Sequence, residues 1–143
     1  AQGQGGIAIG NNSGTITQSS GCVAIGPSSG QSNQQQYAIA LGNFAGQSNQ
    51  RTCAVAMGNL CGQANQGTGA IAMGLNCATF SQGQYSIAMG GTGANSVQEP
   101  FSISFGGRAG QSRQGRFAIA IGTNAGRTNQ GTGSIAIGSS RKH

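Results

Sequence analysis

Glycine recurs at positions 10, 26, 42, 58, 74, 90, 106, 122 and 138, every sixteen residues without a slip, and eight residues before each of them stands a glutamine, from Gln2 to Gln130. No other feature limits the folding of this chain so strongly. A register held through nine repeats requires each repeat to lie against the next, because a disordered low-complexity tract has no physical reason to keep one. Sixteen residues are too few for a helical hairpin, and glycines alternating with β-branched Ile or Val argue against helix. At about 3.3 Å per residue one repeat has a contour near 50 Å, which suits a flattened loop of two short strands and two turns. The expected fold is therefore all-β: a parallel β-solenoid of nine 16-residue coils forming one repeat domain over residues 1–143. At about 4.8 Å per coil the rod would be roughly 43 Å long.

Composition enters because taken alone it points elsewhere. With 28 glycines and few large aliphatic residues the chain leans towards disorder, but only 6% of its residues are charged, so self-repulsion does not hold it open. Pattern decides for order.

Within each coil the strand is easiest to see at Gly69-Ala70-Ile71-Ala72-Met73-Gly74. Alternation puts Ile71 and Met73 on one face and Ala70, Ala72 and Gly74 on the other. The bulky columns run Ile7, Val23, Ile39, Val55, Ile71, Ile87, Ile103, Ile119, Ile135 and Ile9, Ile25, Leu41, Met57, Met73, Met89, Phe105, Ile121, Ile137. They are read as filling the coil interior, so Ile7, Ile9, Ile39, Ile71, Ile87, Ile119, Ile121 and Ile135 are the representative core or trimer-packing residues. Tyr37, Tyr85, Phe101 and Phe117 share that face, the last three on consecutive coils and able to stack. The small face is apolar and flat, and a strand apolar on both faces needs cover on both. Its cover is expected from other copies of the chain, and three wedge-shaped rods close naturally about an axis.

The rest of each coil is polar, as in Gly46-Gln47-Ser48-Asn49-Gln50, and is expected to face water. The Gln column is expected to form an amide ladder along the rod, each member replaceable singly at modest cost. A second corner is marked by Gly14, Gly30, Gly46, Gly62, Ala78, Ala94, Gly110 and Gly126; Ala at two of these implies that positive φ is not strictly needed there. Pro27 and Pro100 fall at strand boundaries, where no ladder donor is lost.

The ionisable inventory excludes most chemistry. There is one acid, Glu99, one histidine, His143, and no Asp. General acid–base catalysis and a Ser-His-Asp arrangement both need residues this chain lacks, so no enzyme and no cofactor are expected. Carboxylate-built calcium or magnesium sites are excluded on the same ground. The four cysteines form no C-x-x-C pair, which leaves zinc unsupported. Cys61 and Cys77, however, occupy one repeat position in adjacent coils, about 4.8 Å apart, inside disulfide range. They are the candidate bond in an oxidising compartment; the alternative is that all four cysteines are small apolar fillers. The run Gly90-Gly91-Thr92-Gly93 is phased with the coil and lacks the Lys-Ser/Thr of a phosphate loop.

Charge is lopsided. Arg108, Arg113, Arg116, Arg127, Arg141 and Lys142 lie in the last three coils, against Arg51 alone before them. In a trimer that end would carry roughly eighteen positive charges, and Arg108, Arg113, Arg116 and Arg127 are candidate contacts for an anionic partner such as an acidic glycan. The competing reading is a solvated surface that keeps a low-charge fibre soluble. Nucleic acid is disfavoured, because the aromatic residues that would stack on bases are assigned to the buried face. No stretch approaches the roughly 18 apolar residues of a membrane span, so no membrane insertion is expected. The start carries no secretory pattern, which does not exclude a surface location.

The segment Ile121-Gly122-Thr123-Asn124-Ala125-Gly126-Arg127-Thr128-Asn129-Gln130-Gly131, echoed in all nine repeats, resembles the head repeats of trimeric autotransporter adhesins of the YadA type. It is closer to the related repeats of viral and phage fibre proteins. The resemblance implies a left-handed parallel β-roll assembled as a homotrimer, used for display and attachment at a virion or cell surface. The unbroken sixteen-residue period is longer than that common in the bacterial heads. A chain that begins and ends in mid-pattern reads as a segment of a longer fibre.

The expected function is thus a non-enzymatic structural and adhesive fibre segment, extracellular, partnered by itself and by a host-surface glycan or other anionic polymer. Two alternatives compete with it. An ice-binding solenoid would want one regular column of Thr, whereas Thr15, Thr52, Thr92, Thr123 and Thr132 are scattered over several repeat positions. A self-assembling fibril is suggested by coils without evident caps.

Overall fold

A computed structural model describes residues 2–92 and 97–139; Ala94, Arg141, Lys142 and His143 lie outside them. Among the described residues every regular element is a short strand. In chain order they are β1 (Ile7–Ile9), β2 (Val23–Ile25), β3 (Ser32–Gln34), β4 (Ile39–Leu41), β5 (Ser48–Gln50), β6 (Val55–Met57), β7 (Ala64–Gln66) and β8 (Ile71–Met73). There follow β9 (Ser81–Gln82), β10 (Ile87–Met89), β11 (Val97–Gln98), β12 (Ile103–Phe105), β13 (Arg113–Gln114), β14 (Ile119–Ile121) and β15 (Ile135–Ile137). The architecture is the expected all-β parallel solenoid.

One sheet has nine strands in the order β1-β2-β4-β6-β8-β10-β12-β14-β15, the other six in the order β13-β11-β9-β7-β5-β3. All pairings are parallel and join each residue to its equivalent one repeat away, as in Ile71↔Ile87 and Gln66↔Gln82. Single bridges Gln2↔Gln18, Gln18↔Gln34 and Gln114↔Gln130 extend the second sheet through the outer coils. A one-residue slip would turn every side chain to the wrong face, so the sixteen-residue period is the register itself.

The repeat glycine is required twice over. All nine sit at φ between 114° and 130°, where a side chain is strained. The turns also stack backbone on backbone: a Cβ placed on Gly26 would stand 2.7 Å from the Gly42 carbonyl oxygen. The second corner corrects the sequence reading. Its described glycines have φ between 48° and 55°, and Ala78, at φ 50°, adopts the same left-handed conformation. Alanine there accepts the strain because the stacked neighbours dictate the turn.

The largest correction concerns which face is inside. Ala24, Ala40, Ala56, Ala72, Ala88, Ala120 and Ser104, from the small face, are fully buried. The bulky columns point outward. Ile7, Ile9, Ile39, Ile121 and Ile135 are exposed, Ile135 at 67%, while Ile71, Ile87 and Ile119 are half-buried by their neighbours along the strip. None of these eight isoleucines belongs to the chain's own core. The cause is the cross-section of the coil. Facing sheets filled by large side chains stand about 10 Å apart, and this interior is already occupied by a row of glutamines. Gln34, Gln50, Gln66 and Gln114 show no exposure, so the second sheet does not offer its whole polar side to water.

Each glutamine is held from several directions. Gln34 Nε2 donates to the carbonyls of Val23 (2.9 Å) and Ala38 (3.1 Å) and to Gln50 Oε1 (3.1 Å). Gln66 and Gln98 repeat the pattern, including the amide-to-amide step to Gln82 and Gln114. The expected ladder therefore exists, but in the interior, where its bonds tie one sheet to the other. A buried amide of this kind is costly to remove.

Candidate functional site

The outward face of the nine-stranded sheet is a strip of Ile, Val, Leu, Met and Phe running the length of the solenoid, with no charged residue in β1, β2, β4, β6, β8, β10, β12, β14 or β15. The alternation is a physical consequence of the pleat: with alanine turned inward, its neighbours on either side must turn outward. An uninterrupted apolar strip of this length is uncommon on the surface of a single soluble chain.

Beside this strip the aromatic residues form the expected stack, but outside. Ring centroids of Tyr85 and Phe101 are 5.6 Å apart, and those of Phe101 and Phe117 5.4 Å. Tyr37, Tyr85, Phe101 and Phe117 are all exposed, Tyr37 at 61%. They keep the alternation and lie outward with the isoleucines, Phe101, Ile103 and Phe105 flanking the buried Ser102 and Ser104, while φ values of 54° to 61° mark the turn that leads into the strand. Gly21 and Gly69, at the same position one coil earlier, leave room for the next ring: a Cβ on Gly21 would lie 2.7 Å from the Tyr37 ring. The Arg116 guanidinium lies beside the last two rings, 5.5 Å from the Phe101 centroid and 5.0 Å from that of Phe117. The argument that buried aromatics disfavour base or sugar stacking therefore lapses. Tyr85, Phe101 and Phe117 nevertheless turn faces toward one another, while Tyr37, three coils away, has no part in the stack.

The four candidate arginines have different partners. Glu99 joins two of them: its carboxylate lies 3.7 Å from Arg113, and its Oε2 accepts the Arg116 backbone N–H at 3.2 Å. Arg113 also lines, with Glu99 and Asn129, a hollow of about 350 Å³. Arg127 Nε donates to Gln111 Oε1 at 3.0 Å, and Arg108 occupies the corner after β12, in a left-handed conformation at φ 58°. The sole carboxylate thus offsets part of the charge that the sequence concentrates at this end.

Cys61 and Cys77 are free thiols, fully buried together with Ala72, Ala78 and Ala88. Contact with the Cys77 thiol, and then burial, push the Cys61 thiol far above the ordinary thiol range. Burial likewise raises the Cys22 thiol, which donates to the Gln35 carbonyl at 2.8 Å. Cys53 is exposed. Among the described residues no cluster of His, Cys, Asp and Glu has the makings of a metal site. Nor, among the described residues, is any helix long and apolar enough to cross a membrane.

No protein-family model, curated protein or solved structure matches the chain. The functional reading therefore rests on its own geometry.

Proposed function

We propose that the chain is a non-enzymatic fibre segment, a rigid trimeric head or spacer that serves attachment at a virion or cell surface. The observation that carries this reading is the outward apolar strip of the nine-stranded sheet, exposed at its ends and covered between them only by its own neighbouring side chains. Burying a column of Ile, Met and Phe side chains against parallel copies removes that surface from water at about 25 cal/mol per Å². The interface is the bulky face, and the small face stays inside each coil. Three copies meeting strip to strip would place the Tyr85-Phe101-Phe117 stack at the margin of the joint and leave the polar sheets outward. The resemblance to trimeric fibre repeats supports the same number and a left-handed coil.

Light scattering coupled to size exclusion tests the reading. A particle of three times 14.1 kDa is expected, and Ile71→Lys, in the centre of the strip, should reduce it to one chain with its β-sheet circular dichroism intact. A parent protein that runs as a single chain at high concentration would refute the trimer.

A further inference from the structure

The polar side of the solenoid carries a feature that the fibre reading does not use. A groove of about 930 Å³ runs along the second sheet, lined by residues of five successive coils, from Thr17 to Gln84. At about 4.8 Å per coil the lining extends over roughly 19 Å. One wall is an asparagine ladder. Asn33 Nδ2 donates to Asn49 Oδ1 at 3.1 Å, and Asn49 Nδ2 donates to Asn65 Oδ1 at 3.2 Å. All three are exposed and sit at φ of 53° to 55°, a left-handed conformation that asparagine tolerates best among residues with side chains.

The floor is bare in its last two coils. Gly67 and Gly83 stand where earlier coils carry Gln35 and Arg51, and a Cβ on Gly67 would lie 2.6 Å from the Gln84 nitrogen. Gln35 and Arg51 thus narrow the groove in its second and third coils, and it is open in the fourth and fifth. Its donors and acceptors are amides and hydroxyls, with Arg51 the one charge and no carboxylate or aromatic ring among the lining residues.

We propose that this groove binds an extended, uncharged carbohydrate chain. The ladder presents carboxamides at coil spacing and in a fixed orientation, so a polymer with regularly repeated hydroxyls meets regularly repeated partners without ordering the side chains first. A peptide would find no apolar pocket for its side chains. A nucleic acid would find one cation and no ring to stack on. The inference deepens the attachment reading by naming a ligand class, and it places binding on the face that the trimer leaves free.

The test is direct binding of the full chain to a printed panel of linear neutral and acidic oligosaccharides, followed by calorimetric titration of any neutral hit. Asn49→Gly removes the central amide while keeping a left-handed backbone, and Thr68→Val removes a neighbouring hydroxyl at constant shape. Each should weaken the neutral hit by about tenfold, the value of one or two hydrogen bonds, and Asn12→Gly, outside the groove, should not. The absence of neutral binding, or equal binding by all variants, overturns the proposal. So does binding restricted to acidic chains and lost with Arg113→Ala, which would assign recognition to the arginine end. Thermal hysteresis without sugar binding would reassign the groove to ordered water. Mass measured on the same samples keeps the two readings apart: a single chain that binds neutral sugar refutes the fibre, and a trimer that binds none refutes the groove.

Discussion

Replacing Gln50 by leucine tests the central structural claim, that the glutamine row is core. The side chain is fully buried and of similar volume to leucine, so the change deletes polar contacts while opening little space. Three hydrogen bonds go: Nε2 to the carbonyls of Ile39 (2.6 Å) and Ala54 (3.1 Å), and the bond Oε1 accepts from Gln34 (3.1 Å). The Ala54 carbonyl keeps the Ile39 N–H at 2.9 Å, and Gln34 keeps its own two carbonyls, which limits the damage to the bonds themselves. At about 1 kcal/mol net per bond the loss is about 3 kcal/mol. For a chain of this size that corresponds to a fall in Tm of about 10 °C. Gln36→Leu is the comparison, since Gln36 is exposed and its neutral replacement should move Tm by no more than about 2 °C. Both are measured by circular dichroism at one fixed protomer concentration, because assembly makes Tm depend on concentration. If Gln50→Leu melts within about 2 °C of the parent, the amide row is not what joins the sheets, and the argument for an inward Gln column fails.

Ala72→Leu should destabilise by 1–3 kcal/mol or more, because Cys61, Cys77, Ala78 and Ala88 already fill the space around it. An unchanged or raised Tm would mean the interior has room, contrary to the packing described. In protein kept reduced, a thiol-specific disulfide reagent should react quickly with Cys53 alone in the native state and with all four cysteines after denaturation. A second fast native thiol would refute the burial of Cys22, Cys61 and Cys77; only two reactive thiols in denatured, unreduced protein would establish the Cys61–Cys77 bond. The raised thiol at Cys22 also sets a sign for pH dependence, whereas the Cys61–Cys77 contact raises one thiol and lowers the other and so sets none. The Cys22 contribution is fully present below the ordinary thiol pKa and is lost as pH rises past it, because the unfolded chain then sheds a proton that the folded chain retains. Tm should be flat from about pH 6 to 8 and fall above about pH 9; a Tm that rises through that upper range would contradict the assignment.

The architecture was legible in the sequence because it depends on one property that sequence displays directly, a period. Gly10 to Gly138 and Gln2 to Gln130 encode register, and register is what a parallel solenoid consists of. Strand position was equally legible, since Ile-Ala-Ile alternation has only one periodicity to offer. The orientation of that alternation was not. A pattern with period two says which residues share a face and leaves open which face is inside. Hydrophobicity suggested that Ile71 and Met73 turn inward, and the chain does the reverse with Ala72 and Gln66. The aromatic stack follows the same inversion: Tyr85, Phe101 and Phe117 share the face of the isoleucines and go outside with them. The groove was out of reach for a related reason: it depends on where the Asn33-Asn49-Asn65 ladder stands relative to the bare Gly67 and Gly83, which belong to different coils.

What the sequence by itself determined is a stack of parallel coils with a fixed repeat, a very short inventory of ionisable groups, and a charge gathered at one end. Only the tertiary structure decided what faces what. The width of a sixteen-residue coil is a property of the closed loop rather than of any strand in it, and that width admits a row of hydrogen-bonded amides opposite alanine methyls and no second layer of isoleucine. The large side chains are outside for that reason, and so is the surface by which the rod is proposed to meet its copies.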